Sequence, residues 1–258
     1  DILLSRIIHN LVLPKPMNKH YISLLALFCV CKLSYGQHQF GPRLTALGNN
    51  SGAVFDIWNI LGNSAGITKV EKSTAAINYS RHSIDNELST QALAIIFPLN
   101  NDFIGISFQK YGLSVYNEIN TGLAFAKKFG DELSISLKGN YHQIQITGYG
   151  AAASYSINVG VIYQFNEKIT VGIYSSNISN RGYINVSSDL LIPSGINLGL
   201  SYQASKKIFI AATLNKNTRQ KIDMRFGLEY KILETLSVRA GLSSRTLNQS
   251  IGIGLVYK

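Results

Sequence analysis

The sequence predicts an all-β protein: a transmembrane antiparallel β-barrel of about 12 strands, with a short N-terminal helical hatch or plug before the first strand. Three observations predict it. From about Ser73 onward, runs of roughly ten residues with apolar side chains at every second position alternate with polar turns, and a period of two puts one set on each face of a strand. Only 15% of the 258 residues are charged, against about 25% in a typical soluble domain, while 14 Tyr and 11 Phe are available for the girdles of a membrane barrel. No run approaches the roughly 20 apolar residues of a membrane-spanning helix, so strands must do the crossing.

Residues 1–16 precede the first methionine, Met17, and read as an upstream extension outside the fold. Residues 17–36 read as a secretory leader: Lys19 and His20, an apolar stretch over 22–30, then Ser34, Tyr35 and Gly36 as a small-residue cleavage site before Gln37. Both cysteines, Cys29 and Cys31, fall in this leader. Phe28 and Val30 stand where a lipidation box needs a small residue, so the mature chain is expected to begin near Gln37, with no cysteine and no need of a disulfide. Without residues 1–36, 20 basic and 13 acidic residues remain, a net charge of +7. It is spread thinly, with no aromatic-basic cluster of the kind that binds nucleic acid.

Residues 37–72 break the strand rule and form the expected hatch. Within them, 51–61 predicts a short helix, because Val54, Phe55, Trp58 and Leu61 make an apolar stripe at helical spacing, and 63–67 predicts a turn. Placing this segment inside the barrel buries the stripe and Trp58. The barrel itself occupies 73–258, with strands expected at 73–82, 89–98, 103–110, 118–128, 132–145, 155–165, 168–177, 194–203, 206–215, 221–231, 235–243 and 248–257. Connections after the even strands are tight. Those after the third, fifth and seventh are expected to be longer, with 178–193 the longest. Outer-membrane barrels segregate turns in this way, with the short rim periplasmic, and an even strand number brings both termini to that side.

The inward face carries the candidate site residues. On the tenth strand Met224, Phe226, Leu228 and Tyr230 alternate with Asp223, Arg225, Gly227, Glu229 and Lys231; on the eleventh, Leu236, Val238, Ala240 and Leu242 alternate with Ser237, Arg239, Gly241 and Ser243. A charge on the lipid face near mid-membrane costs about 2–4 kcal/mol, so the charged set looks inward. The expectation is a lumen charge network of Lys138, Arg225, Lys231 and Arg239 against Asp223 and Glu229, either self-neutralising or slightly cationic and anion-preferring. Glycines also recur at inward positions, Gly122, Gly160, Gly172, Gly199, Gly227, Gly241 and Gly252 among them, and leave room for a plug or a passage. Some twelve-stranded outer-membrane barrels are lipid-cleaving enzymes that use Ser, His and Asn on the outer wall, which makes His142 on the fifth strand a candidate. Here no Ser follows two residues on, and the ring points into the lumen, so no catalytic residue is assigned. Beyond the leader, His38, His82 and His142 are far apart and no Cys remains, so neither a metal site nor a cofactor is expected.

The hatch segment also carries a family resemblance. Gly41-Pro42-Arg43-Leu44-Thr45-Ala46-Leu47-Gly48, then Asp56-Ile57-Trp58, then Asn63-Ser64-Ala65-Gly66-Ile67 resemble the opening of the PorV/PorQ family, outer-membrane barrels of Bacteroidetes related in fold to the FadL fatty-acid channels. Pro42 replaces the usual Ala and Ser64 the usual Pro, and about 30 residues are covered. The resemblance implies a non-enzymatic barrel in outer-membrane lipid, whose hatch is shaped by Gly41, Arg43, Gly48, Asp56, Trp58, Asn63 and Gly66. It implies an accessory role in type IX secretion or passage of a small solute. A barrel that docks a partner through its outer loops, and a FadL-like channel for hydrophobic ligands, remain as alternatives. The residues themselves allow a plainer reading, in which Gly41, Gly48 and Gly66 supply tight turns and Asp56 and Asn63 cap local structure.

Overall fold

Alternation of apolar and polar residues builds a wall of twelve antiparallel strands, each paired with its neighbour in chain order. The strands are β1 Thr74–Arg81, β2 Ser89–Leu99, β3 Asp102–Gly112, β4 Tyr116–Phe129, β5 Leu133–Ile146, β6 Gly150–Gln164, β7 Ile169–Ser176, β8 Gly195–Gln203, β9 Ile208–Asn217, β10 Asp223–Lys231, β11 Leu236–Ser243 and β12 Asn248–Leu255. The computed structural model describes residues 40–81, 87–183, 192–218, 220–245 and 247–257. The extension 1–16, the leader 17–36, His38, His82 and residues 184–191 of the long loop lie outside the described residues.

β8 shows how the pattern works. Ile196, Leu198, Leu200 and Tyr202 point outward and stay 41–53% exposed, while Asn197, Gly199 and Ser201 face the lumen. The same inversion of a soluble protein holds along β10, where Met224, Phe226 and Leu228 are exposed and Asp223 and Glu229 are buried. Apolar outside and polar inside is the arrangement hydrocarbon demands of a barrel. No helix among the described residues is long and apolar enough to cross a membrane.

Two connections differ from expectation. The loops after β3 and β5 are short, spanning only 113–115 and 147–149, because ladder pairing continues to Tyr116↔Ile146 and Ile146↔Gly150. β4, β5 and β6 therefore reach 14, 14 and 15 residues, more than the roughly 9–11 that cross a membrane, and this sector of the wall projects beyond its neighbours at the rim away from the hatch. The contrast between rims rests instead on the connections 82–88 and 177–194.

The hatch also folds differently from its predicted helix. Residues 51–56 form no helix and bend at Gly52 and Ala53, and a 3-10 turn covers only Ile57–Leu61; a second 3-10 turn covers Ser64–Ile67, and a helix, α1, forms at Pro42–Ala46. The wall and neighbouring hatch residues take the carbonyls that a longer helix would use. Asn63 Nδ2 donates to Gly52 O at 2.7 Å and Ser201 Oγ to Ala53 O at 2.8 Å, while Asn59 holds Val54 O and Arg43 holds Phe55 O. Asp56 then starts the turn by accepting from the Trp58 N–H at 2.9 Å. α1 begins with Pro at its first position after Gly41, whose φ of 85° favours glycine.

The core lies where hatch meets wall. Trp58, Ile60 and Ile67 of the hatch are buried against Ala94, Ile96 and Phe103 of β2 and β3. Each fully buried aliphatic side chain contributes about 1.5–3 kcal/mol, so this contact fixes the hatch on one side of the lumen. One gap remains in the wall: among the described residues, no ladder joins β1 to β12.

Candidate functional site

The candidate site is the lumen, and residues 40–72 pack against the inner face of its wall. The wall meets the hatch backbone at glycines. A Cβ at Gly172 would strike Gly52 O, at Gly199 the Gly52–Ala53 peptide, and at Gly241 the backbone of Leu47 and Gly48. At Gly160 it would run into Asn63, and at Gly252 into Ala46. Two backbones approach this closely only where neither bears a side chain at the contact. Gly48, at φ 75°, turns the chain at the point where it meets β11. Gly122 differs from the others, since a Cβ there would meet the Lys138 side chain instead of the hatch.

Polar bonds then lock the hatch at discrete points. Arg43 is the centre of one set: Nε donates to Glu229 Oε2 at 2.9 Å, and Nη1 to Asp56 Oδ2 at 3.1 Å. Glu229 also accepts from Arg239 Nε at 2.5 Å, so one carboxylate of β10 holds a guanidinium from the hatch and another from β11. Register places Glu229 directly opposite Arg239. Arg225 pairs with Asp223 at 2.8 Å and donates to Asn49 O at 3.0 Å. Asn63 caps the second 3-10 turn through Ala65 N–H and donates to Val161 O of β6 at 3.2 Å. Thr68 and Ser134 share a hydroxyl bond of 2.7 Å, and Ser250 Oγ donates to Ala46 O at 3.1 Å. At the rim where β1 begins, Lys69 donates to Gln164 at 2.7 Å and lies 4.2 Å above the Phe55 ring.

Six of the seven hatch-motif residues thus converge on a few contacts. Trp58 packs on Gly41, Arg43 bridges Asp56 to the wall, Asn63 bridges the second turn to β6, and Gly66 fits against Asn59 and Val54 O. Gly48 sits apart from this group, on β11. The lumen charges divide into two sets instead of joining in one network. Glu229 and Arg239 belong to the Arg43 set, and Asp223 and Arg225 form a second. Lys138 is on the opposite wall, and Lys231 is exposed at the end of β10. Sequence reasoning missed Gly52, Gly105, Asn59 and Ser201 as seating positions. Gly105 was readable, since it has the same inward parity as Phe103 and Ser107; the others depend on where the hatch crosses the wall.

A cavity of about 310 Å³ lies at the gap in the wall. Asn78, Tyr79 and Ser80 of β1 line one side, 250–253 of β12 the other, and Gly41, Pro42, Thr45 and Ala46 the back. The hatch therefore stands behind the unpaired edges. Among the described residues no cluster of His, Cys, Asp and Glu could hold a metal ion. His142 faces Ser156, with Nε2 and Oγ 2.8 Å apart.

No family model matches the chain, and no curated protein matches its sequence. Solved structures do match. TodX, a toluene transporter of Pseudomonas putida, aligns with a TM-score of 0.63 over 87% of this chain and 90% of its own, at 11% identity. TbuX, a toluene transporter of Ralstonia pickettii, gives 0.60 over 84% and 89%, at 10% identity. CymD, a monoaromatic hydrocarbon channel, gives 0.62 over 84% and 89%, at 12% identity. The chain has the fold of an outer-membrane β-barrel.

Proposed function

We propose that the protein is a non-enzymatic channel of the outer membrane, with both ends of the barrel on the periplasmic side, and that a small solute passes through its lumen when residues 40–72 shift. The observation that carries this reading is the way the hatch is seated. It rests on wall glycines, one apolar contact with β2 and β3, and a few side-chain bonds, chiefly Arg43 to Glu229, while the strand ladders run from β1 to β12 without it. A segment held in this manner can withdraw without unfolding the wall. Likeness to TodX, TbuX and CymD supports passage, since those proteins are transporters and channels. The test is conductance in planar bilayers: the full chain is expected to carry a small current, and the chain lacking residues 40–72 a much larger one. A truncated barrel that remains β-rich and heat-modifiable yet carries no current would defeat the reading.

A second reading is an accessory role in type IX secretion, favoured by the hatch motif Gly41, Arg43, Gly48, Asp56, Trp58, Asn63 and Gly66. It expects affinity capture from native membranes to recover a component of that machinery. Capture that recovers none removes it.

A further inference from the structure

Above the hatch, the lumen wall formed by β3 to β6 changes character within one or two inward positions. Gly105 and Ala124, which pack around Ile60 and the rest of the apolar core, give way to Ser107 on β3 and Asn120 on β4. On β5 the inward positions beyond Ser136 are Lys138, Asn140 and His142. A wall built to pass hydrocarbon would have no reason to place an ammonium and two amides there.

Lys138 is the centre of this layer. It is 2% exposed, and among the described residues it makes no hydrogen bond and no ion pair. Its stem lies across Gly122, where any Cβ would collide with Cε. Its ladder partners are Ala124 on β4 and Asn158 on β6, and neither bears a charge. The inward carboxylates of β10 are committed elsewhere, Glu229 to Arg43 and Arg239, and Asp223 to Arg225, the Ser243 hydroxyl and the Arg245 N–H. Glu118, on the same side, is six residues along β4 from Ala124, or about 20 Å at the rise of a strand, and it holds Tyr116. Two acceptors beside the lysine are also idle: Asn120 Oδ1 and Asn140 Oδ1 are buried with no hydrogen-bond partner.

We propose that this layer is a recognition site for a small hydroxylated anion, a sugar acid or similar hydroxycarboxylate. The inference rests on the passage reading and names the solute class for it. A buried charge without a counter-charge is costly, and a carboxylate that enters beside it offsets that cost. The idle amide oxygens need donors, and hydroxyl groups on the same molecule supply them. A hydrocarbon supplies neither, and a cationic sugar adds a second positive charge.

The test uses the full chain, purified in detergent for calorimetric binding and reconstituted in liposomes for flux, with gluconate, sorbitol, glucosamine and toluene as probes. Gluconate is expected to bind and cross about tenfold better than sorbitol, the equivalent of one charge-assisted hydrogen bond, and glucosamine to do worse than sorbitol. Lys138→Gln removes the preference. Asn140→Asp gives the lysine an internal partner of the same size and is expected to remove it as well; its folding, checked by heat-modifiable migration, guards against a merely broken barrel. Binding that depends on Lys138 without any flux keeps the site and defeats passage. Flux that treats gluconate and glucosamine alike, favours toluene, or is unchanged in both variants overturns the site and leaves passage standing.

Discussion

The two sides of the barrel treat charge in opposite ways. On the wall of β10 to β12, each inward carboxylate already has an arginine, and one of those arginines comes from the hatch. On the wall of β4 to β6, Lys138 has no partner among the described residues and the amide oxygens of Asn120 and Asn140 beside it are idle. Gly241 and Gly252 press on hatch residues, as Gly160 does on β6, whereas Gly122 presses on the lysine and on the polar atoms of Ser107 and Asn140. Matched charge next to backbone contact fixes a structure in place. Unmatched charge next to a flexible side chain leaves room for something to arrive.

Substitutions can break this contrast, and the largest effect is expected on the matched side. Glu229→Ala leaves the Arg43 and Arg239 guanidinium groups without their shared carboxylate, and removing one member of a buried pair costs about 3–5 kcal/mol. The partial exposure of both arginines lowers that toward about 3 kcal/mol; a fall in the urea midpoint in lipid vesicles and protease access to residues 40–72 measure it. Gly241→Val drives a side chain into the Leu47–Gly48 backbone, for about 1–3 kcal/mol of overpacking. It is expected to raise conductance by displacing the hatch. On the other side, Lys138→Met removes an unpaired buried charge, so stability is expected to hold or rise by about 1 kcal/mol, seen as an unchanged or higher melting temperature. Gly122→Ala meets only the yielding end of Lys138 and two polar atoms, so its cost stays near 1 kcal/mol or below. Lys231→Ala, at an exposed strand end, falls within about 0.5 kcal/mol of the parent. A large loss from Lys138→Met, or none from Glu229→Ala, would erase the distinction between the walls.

The lipid face is readable in the sequence, because Met224, Phe226 and Leu228 cannot turn outward without Asp223 and Glu229 turning inward. The length of β4 to β6 is not. Residues 111, 112, 116 and 117 and residues 146 and 150–154 look like loops by composition, yet they pair because the neighbouring long strand offers a hydrogen-bonding edge. The hatch helix was misplaced for a related reason. The spacing of Val54, Phe55, Trp58 and Leu61 fits a helix, but Asn63, Ser201 and Arg43 bind the carbonyls of 52, 53 and 55 and keep that stretch out of a helix. Asp56 and Asn63 cap turns, and each also takes a second, distant partner.

By itself the sequence determined the β-barrel, its strand order and which side chains look inward, because a period of two and the cost of charge in hydrocarbon act locally along each strand. Tertiary structure alone decided which inward charges meet. Arg43 and Glu229 are 186 residues apart, and only the path of the hatch across the glycines brings them together. The same path gives Arg43 to Glu229, which strand register already sets opposite Arg239, and leaves Lys138 unpaired on the far wall.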